Sequence, residues 1–418
     1  MSRAFIIAAR RTAVAPRRGA LAKLEAWQLA APVLQACLAD AGVNVDEVDE
    51  VILGNALSGG GNVARLAALA AGLPERVSAL SIDRQCCSGL DAIMLAARLI
   101  EAGAARVVLA GGTESWSRSA IRAHRPRREG EAPDFYDTPP FSPWPERDPD
   151  MVEAAAELAR TEGITRAAQD AFAVESHRKA LVRLEPPLPE GERDGVRGAT
   201  ATITRATPHP ALSLRERTSR SGGEGVRQEE IVLLPEAPLA HDAFARNLTP
   251  RLCARAPILA GTDEYAIDAA TVAVEADAAA AVLVVAEDIA RAIVHPLEIL
   301  DALALGSAPE QPAMAIVPAV CRVLARNDLD AALLDHVELM EAFAVQALAN
   351  IAHLGLDPAR VNPGGGALSR GHPVGASGAI LAVRLFHEMR SAPGAKTGLA
   401  AIAAAGGLAT AMLLRSNE

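Results

Sequence analysis

Two adjacent cysteines stand in a stretch whose residue types suit nucleophilic chemistry, the run DRQCCSGLDAI from Asp83 to Ile93. Neighbouring cysteines do not readily pair with each other, and the apolar residues after them predict that a helix begins here. A cysteine at a helix N-terminus experiences the positive end of the helix dipole, which lowers the pKa of its thiol. The small residues Ser88 and Gly89 would let a carbonyl group approach backbone N–H groups, which can hold an oxyanion. The stretch therefore predicts an acyl-accepting cysteine, either Cys86 or Cys87.

The histidine that could activate such a cysteine is indicated by an internal repeat. The segment PVLQACLADAGVNVDEVDEVIL begins at Pro32, and PAVCRVLARNDLDAALLDHVEL begins at Pro318, 286 residues later. Both predict an amphipathic helix, a loop and a strand. The residue 286 positions beyond Cys86 is His372, in GHPVGASGA. A duplicated α/β unit with a pseudo-twofold axis would bring these two loops face to face, where His372 could accept the thiol proton.

Length and composition bound the class of protein. The chain has 418 residues, which exceeds the size of one hydrophobic core and predicts two or three domains. Half of the residues are hydrophobic and only 3% are aromatic, so we expect a core of Ala, Val, Leu and Ile. The formal charge of −10 disfavours nucleic acid or an anionic membrane as the partner.

The cysteines and the apolar segments bear on the compartment. No CxxC or other metal-ligand spacing occurs, so we predict no metal site and a reducing environment. Cys37 and Cys321 lie on apolar helix faces and are interpreted as buried packing residues. The N-terminus lacks an apolar stretch of signal-peptide length. The most apolar later stretch contains Glu275 and Asp277, which argues against a membrane span. We therefore expect a soluble, cytoplasmic protein.

The region between the duplicated halves differs from them in composition. Residues 1–115 form the predicted N-terminal half, completed by about 262–286, and residues 287–418 form the C-terminal half. Residues 116–261 are rich in Pro, Arg and Glu and predict an inserted loop domain that covers the substrate. Within it, residues 184–228 combine Pro, Gly and charged residues without periodicity. That composition predicts a disordered insertion with no function of its own.

The motifs of the chain outside residues 184–228 resemble those of the thiolases, the acyl-CoA C-acyltransferases. The resemblance rests on RRTAV, VILGNAL, GGGNVARLAALAAGLP, CCSGLDA, AGGTESWS, QDAFAVESHRKA, EAFAVQ and NPGGGALSRGHPVGASGA. It implies an α/β thiolase fold, in which duplicated βαβαβαββ halves form five αβαβα layers with an inserted loop domain over the coenzyme A site. It also implies a coenzyme A thioester as substrate, no bound cofactor, and a homodimer or homotetramer.

The resemblance implies roles for particular residues. The family's nucleophile is followed by one small residue and then Ser-Gly, which selects Cys86. The histidine of the family's His-Pro-x-Gly-Ala-Ser-Gly motif corresponds to His372. Weaker oxyanion or positioning roles are implied at six further residues. These are Ser88, Gly89, Glu341, Phe343, Ala405 and Gly406.

Two positions that carry chemistry in thiolases hold other residues here. Thiolases place a second, acid/base cysteine in a Cys-x-Gly-Gly-Gly segment, and the corresponding AAAGG has Ala403 at that position. The family's Asn-Glu-Ala-Phe appears as MEAF, so Met340 replaces an asparagine that positions an oxyanion-stabilising water. An alanine has no exchangeable side-chain proton, and a methionine donates no hydrogen bond.

Two other regions also depart from the family pattern. The family has a coenzyme-facing Ser-Gly followed by Asn-Asp-Gly, and here Asp277 is retained while four neighbours differ. Those neighbours are Ala273, Val274, Ala276 and Ala278. The proline-rich loop PDFYDTPPFSPWPERDPD predicts a reshaped acyl or pantetheine pocket. We therefore assign no coenzyme-binding residue from the sequence.

The retained pair predicts an acyltransferase of fatty acid metabolism that forms an acyl-thioester on Cys86, with acetyl-CoA C-acetyltransferase as the nearest activity. Without the second cysteine, the carbon acceptor must be activated by decarboxylation, by its own acidity or by another residue. The donor is either an acyl-CoA or an acyl-carrier thioester. Two alternatives stay open. One is a non-catalytic, regulatory homologue that binds an acyl thioester, and the other is a thioester hydrolase, which needs only Cys86, His372 and water.

Overall fold

The computed structural model describes residues 2–184 and 230–416. Within these ranges, eleven strands form one continuous sheet and four short strands form two separate pairs. The strands are β1 (Ala4–Thr12), β2 (Ala15–Pro16), β3 (Glu50–Gly54), β4 (Ser78–Ile82), β5 (Val107–Ser115), β6 (Arg122–His124), β7 (Asp134–Tyr136), β8 (Ile231–Val232), β9 (Ile258–Ala260), β10 (Ile267–Asp268), β11 (Ala276–Ala286), β12 (Leu297–Gly306), β13 (His336–Leu339), β14 (Thr397–Ala404) and β15 (Leu408–Ser416).

The helices begin and end where the sequence supplies caps and glycines. The first helix ends at Gly42 with φ 63°, and the third is followed by Gly103 with φ 71°, a conformation that glycine adopts without steric cost. The helices are α1 (Ala26–Ala41), α2 (Val63–Ala70), α3 (Ser88–Glu101), α4 (Met151–Glu162), α5 (Arg166–Leu184), α6 (Pro250–Cys253), α7 (Glu287–Ala290), α8 (Ile316–Ala325), α9 (Ala344–Leu354), α10 (Ala367–Arg370) and α11 (Val374–Ser391). No helix in the described part of the chain is long and apolar enough to cross a bilayer.

The duplication is visible in the strand order. In the N-terminal half, β3 and β5 are parallel neighbours, and β5, β11 and β1 follow as antiparallel neighbours. In the C-terminal half, β13 and β14 are parallel, and β14, β15 and β12 follow as antiparallel neighbours. β1 and β12 then pair at Phe5 and Ile6, so the two halves share one sheet. The internal repeat in the sequence therefore corresponds to two structural units with one topology.

The helices form three layers around the two half-sheets. α3 and α11 pack against each other and against strands of both halves, and the central core between them is built mainly from Ala, Val, Leu and Ile. α1 and α2 cover the outer face of the N-terminal half, while α8 and α9 cover the outer face of the C-terminal half. This confirms the predicted five-layer αβαβα arrangement.

The two central helices approach each other so closely that only glycine fits at their crossing. A Cβ atom on Gly89 would lie 2.7 Å from the Ala379 nitrogen and 2.8 Å from the Gly375 carbonyl oxygen. A Cβ atom on Gly378 would lie 2.6 Å from the Leu90 nitrogen. Because both glycines lie in the first turns of α3 and α11, the N-terminal ends of the two helices meet.

The region between the halves packs on the C-terminal half. α4 begins at the capping side chain of Asp150, which accepts hydrogen bonds from the nitrogens of Val152 and Glu153, and both α4 and α5 contact α9. The boundaries predicted for this inserted domain, 116–261, stay a prediction. The insertion predicted at 184–228 lies outside the described residues, apart from the last residue of α5.

Candidate active site

The turn that carries the two adjacent cysteines is held by the serine that follows them. Residues Gln85–Cys87 form a single 3-10 turn before α3, and Gln85 has the unusual φ of 49°. The Ser88 hydroxyl donates to the Gln85 carbonyl oxygen at 2.6 Å and accepts from the Arg84 nitrogen at 2.8 Å. Both hydrogen bonds lie inside the turn, so Ser88 fixes the backbone from which Cys86 projects.

The structure brings Cys86 and His372 into direct contact. The Cys86 Sγ lies 3.2 Å from the His372 Nε2, and the His372 Nδ1 lies 2.7 Å from the Ser377 Oγ. We assign the Ser377 hydroxyl hydrogen to the Pro373 carbonyl, 3.2 Å away, so that the hydroxyl accepts from Nδ1–H. This tautomer leaves the Nε2 lone pair facing the thiol, which is the arrangement that a general base requires.

The backbone of His372 is held from two sides. Its nitrogen donates to the Val274 carbonyl at 2.7 Å, and its carbonyl accepts from the Trp116 indole at 3.2 Å. Trp116 is fixed in turn by its neighbour Ser117, whose nitrogen and hydroxyl donate to the Asp277 carboxylate at 2.9 Å and 2.5 Å. Asp277 therefore supports the histidine loop from within β11 and is fully buried.

Burial keeps both members of the Cys–His pair uncharged. It raises the pKa of the Cys86 thiol to about 12, and the carboxylates of Glu114 and Asp83 act in the same direction. Burial also lowers the pKa of His372 to about 4. The helix dipole alone would lower the pKa of this thiol, as expected from the sequence, but desolvation by the surrounding protein outweighs that effect. At neutral pH the pair is therefore a thiol facing a neutral imidazole.

A pH profile of alkylation distinguishes this neutral pair from a thiolate–imidazolium pair. We expect the rate of iodoacetamide reaction at Cys86 to keep rising between about pH 6 and 8 without reaching a plateau, because the pKa of the thiol lies far above this range. His372, whose pKa is lowered, gains its proton only as the pH falls toward about 4. The measurement is the pseudo-first-order alkylation rate followed by mass spectrometry. A rate that reaches half of its maximum near neutral pH would show that the Cys86 thiolate forms at that pH, and would contradict the neutral pair.

The Ser377 hydroxyl is predicted to set the tautomer of the catalytic base. Replacing Ser377 with alanine removes the acceptor for Nδ1–H, and we expect acylation of Cys86 to slow roughly 10- to 100-fold, part of what a positioned base provides. Ser369→Ala is the matched control, since this equally buried hydroxyl donates to the Gly366 carbonyl. Equal rates for the two variants would refute a role for Ser377 in orienting His372.

The remaining cysteines do not share the site. Cys87 is fully buried in the central core, and its thiol donates to the Ile402 carbonyl at 3.5 Å. Cys37 is buried as expected, with its thiol toward the Ala281 carbonyl. Cys321 is exposed, so its interpretation as a buried residue was wrong. The buried stripe of α8 runs through Ile316, Ala319, Val320, Val323 and Leu324, and residue 321 lies outside it.

A buried glutamate that the sequence analysis did not single out joins the two loops of the site. Glu114 lies near the end of β5 and accepts four hydrogen bonds at 2.8–3.2 Å. The donors are the Asn55 side chain and the backbone nitrogens of Ala56, Leu57 and Gly375. Gly375 lies in the first turn of α11, directly behind His372. Burial raises the pKa of Glu114 to about 7 despite these donors. Only tertiary structure brings these donors together.

Several residues with weaker predicted roles have defined structural contacts, and their roles at the site stay predictions. Gly89 allows the crossing of α3 and α11, so an open approach for a carbonyl group is not what its missing side chain provides. Glu341 is buried and accepts from Ser176 at 2.7 Å and from Asn362 at 2.6 Å, which ties α5 to the C-terminal half. Phe343 precedes α9 and packs with the apolar residues beneath α4.

The two substituted family positions lie in different environments. Met340 is 2% exposed and belongs to the central core, so its side chain contacts protein rather than solvent. Ala403 is near the end of β14 and partly exposed. The following turn contains Ala405, which is buried, and Gly406, which has φ 75°. A Cβ atom on Gly406 would lie 2.8 Å from the Phe141 carbonyl oxygen, so the inserted region rests on this turn.

The segment that the family pattern places toward the coenzyme is partly internal. Ala276 and Ala278 are fully buried in β11 and belong to the central core. Ala273 donates its backbone N–H to the Ala342 carbonyl. Side chains at 276 and 278 therefore face the protein interior, and the differences there are differences of core packing.

Sequence and structure comparisons agree with this architecture. Residues 4–183 match the family model of the thiolase N-terminal domain, and residues 295–416 match that of the thiolase C-terminal domain. A Bacillus subtilis protein named "Putative acetyl-CoA C-acetyltransferase YhfS" is 35% identical over 412 residues, 98% of each chain. A Staphylococcus aureus (strain MRSA252) protein named "Putative acetyl-CoA C-acetyltransferase VraB" is 32% identical over 417 residues, 99% of each chain.

Solved structures show the same fold. The Bacillus anthracis acetyl-CoA acetyltransferase has a TM-score of 0.81 at 30% identity, covering 100% of this chain and 99% of its own. Human mitochondrial 3-ketoacyl-CoA thiolase, solved in complex with CoA, has a TM-score of 0.82 at 26% identity, covering 100% and 98%. The family models and these relatives identify an acyltransferase. The chain belongs to the thiolase family.

Proposed function

We propose that Cys86 accepts an acyl group from a coenzyme A thioester, with His372 as the general base. The observation that carries this proposal is the 3.2 Å contact between Cys86 Sγ and His372 Nε2, with the ring oriented by Ser377. Sulfur attacks the thioester carbonyl carbon as its proton passes to Nε2. The carbon–sulfur bond to coenzyme A then breaks, and the departing thiolate takes that proton. The pair is uncharged before and after the transfer.

The second half of the reaction lacks the groups that thiolases use for carbon–carbon bond formation. Ala403 has no proton to give to or take from an acetyl carbon, and Met340 offers no donor for an enolate-stabilising water. We propose an acyl acceptor that is activated by decarboxylation or by its own acidity. Acetyl-CoA C-acetyltransferase is the nearest activity, in fatty acid metabolism, with Claisen chemistry as the slow step.

Thioester hydrolysis is the second candidate function. It is favoured by the same two residues, because hydrolysis requires only an acyl group on Cys86, His372 as base and a water molecule. An acyl-carrier thioester is the alternative donor to an acyl-CoA. A non-catalytic homologue that only binds thioesters would leave the oriented Cys86–His372 pair without a purpose.

An oligomer is also part of the proposal. β4 pairs with β3 along one edge and ends the sheet order on its other edge, and an open strand edge is a template for pairing with a second chain. Leu80 on β4 and Leu66 and Leu69 on α2 are 41–44% exposed. We propose that this face forms a homodimer, or part of a homotetramer, in a cytoplasmic protein.

Mass spectrometry of the intact protein with different donors tests the proposed activity. The protein is incubated with acetyl-CoA, with longer acyl-CoAs and with an acyl-carrier thioester, and the products are then separated. We expect an acyl-CoA to transfer one acyl group to Cys86. Free acid as the sole product identifies a hydrolase, and a β-keto thioester identifies condensation. No acyl mass with any donor would refute the enzymatic proposal and favour the binding homologue.

A further inference from the structure

A polar cavity lies beside the C-terminal part of the central helix α11. It has a volume of about 450 Å³ and is lined by four arginines, the carboxylates Glu230 and Asp242, and small or apolar side chains. The arginines are Arg11, Arg183, Arg370 and Arg384. Arg384 lies ten residues into α11, which places the cavity roughly 15 Å along the helix from the end that faces Cys86. A volume of this size is in the range of small-molecule sites.

Three of the arginines are satisfied by carboxylates. Arg11 binds Asp242 at 2.6 Å and Glu230 at 2.5 Å, and Arg384 binds Glu230 at 2.7 Å and Glu388 at 2.6 Å. Arg183 forms ion pairs with the same two glutamates. Each of these three arginines forms ion pairs with two carboxylates, although the Arg384 Nε has no hydrogen bond.

Arg370 is the exception. It is 3% exposed, and among the described residues its guanidinium has no hydrogen-bond partner. Its nearest carboxylate is Glu338, 3.7 Å away, beyond hydrogen-bonding distance. Both Glu338 oxygens are buried and also lack a hydrogen bond. Burial lowers the pKa of Arg370 and raises that of Glu338 to about 7.

A buried guanidinium in a cavity wall, with its paired carboxylate 3.7 Å away, is costly unless an acceptor binds there. We propose that this cavity binds a small monocarboxylate, whose carboxylate pairs with Arg370 and whose short apolar body lies against Ala180, Ile231 and Ala245. A guanidinium matches the planar carboxylate with two parallel hydrogen bonds. The apolar part of the wall favours an organic acid over phosphate or sulfate.

Calorimetric titration of the full chain tests this site. The probes are butyrate and benzoate, their neutral isosteres butyramide and benzamide, and inorganic phosphate. We expect saturable binding of the carboxylates, with the amides and phosphate weaker by roughly 10- to 100-fold, the value of a charge-assisted hydrogen-bonded pair. Equal affinity for acid and amide, or no saturable binding of either acid, would overturn the proposal and leave a water-filled structural cavity.

Two variants locate the binding in this cavity. Arg370→Gln should weaken carboxylate binding by the same factor, while Arg106→Gln, a change at an exposed surface pair with Asp288, should leave it unchanged. Ala245→Leu fills the cavity without removing a charge, so it tests the site even if Arg370→Gln fails to fold. Binding that survives a folded Ala245→Leu variant would refute the assignment.

Discussion

Replacing Cys86 with alanine is expected to abolish acyl-enzyme formation completely, because the nucleophile is lost and no other described cysteine contacts His372. Cys87→Ala is the matched control, one position away in the same turn. Cys87 has its thiol in the central core, so its replacement should cost about 1 kcal/mol of stability, as a typical core change does, and leave acylation intact. Intact-protein mass spectrometry after incubation with acetyl-CoA measures the acylation of both variants.

The opposite result would be equally clear. If Cys87→Ala loses the acyl mass while Cys86→Ala retains it, then the choice between the two neighbours is wrong. Circular dichroism of both variants separates loss of the nucleophile from loss of the fold. Because Cys86 is only partly buried whereas Cys87 is fully buried, its own substitution should leave the fold unchanged.

Restoring the two family residues is expected to raise the thiolase activity of the chain. Ala403→Cys would supply the missing acid/base group, and we expect acetoacetyl-CoA cleavage to rise roughly 10²-fold or more, the usual contribution of such a group. Ala403 is partly exposed, so the larger side chain has room. Met340→Asn in the same chain should add a further gain, since an oxyanion donor is worth about 10²–10³ in rate.

The two substitutions have different risks for the fold. Met340 is 2% exposed in the central core, and a buried amide without partners costs about 1–3 kcal/mol. The single variant Ala403→Cys therefore tests the chemistry without that cost, and Ala404→Cys, one position along β14, is its control. A double variant that folds but gains no cleavage activity would show that residues 340 and 403 are not the missing groups.

Much of this architecture could be predicted from the sequence because it is periodic and repeated. The 286-residue offset predicted that Cys86 and His372 would meet, and the helix and strand patterns predicted two like halves. Gly89 and Gly378 sit at the crossing that makes the meeting possible, yet the sequence analysis assigned Gly89 to substrate approach. A missing side chain in the sequence does not show whether a ligand or a helix fills the space.

The features that escaped prediction depend on contacts between distant segments. The pKa of Cys86 is raised because five layers bury it, whereas the helix-dipole rule considers one helix end alone. Glu114 receives donors from two loops that are far apart in the chain, and the environment of Arg370 is set by Glu338 and by the cavity wall around it. Cys321 is different: the spacing of its buried neighbours on α8 already places it on the exposed side.

Rapid-quench kinetics of the unmodified protein with acetyl-CoA test the central claim most directly, namely that the acyl-accepting half of the site is complete and the carbon–carbon half is not. We expect a burst of one acetyl group per chain on Cys86, followed by much slower formation of acetoacetyl-CoA or acetate. No acetyl group on Cys86, or acetoacetyl-CoA formed as fast as the burst, would contradict it.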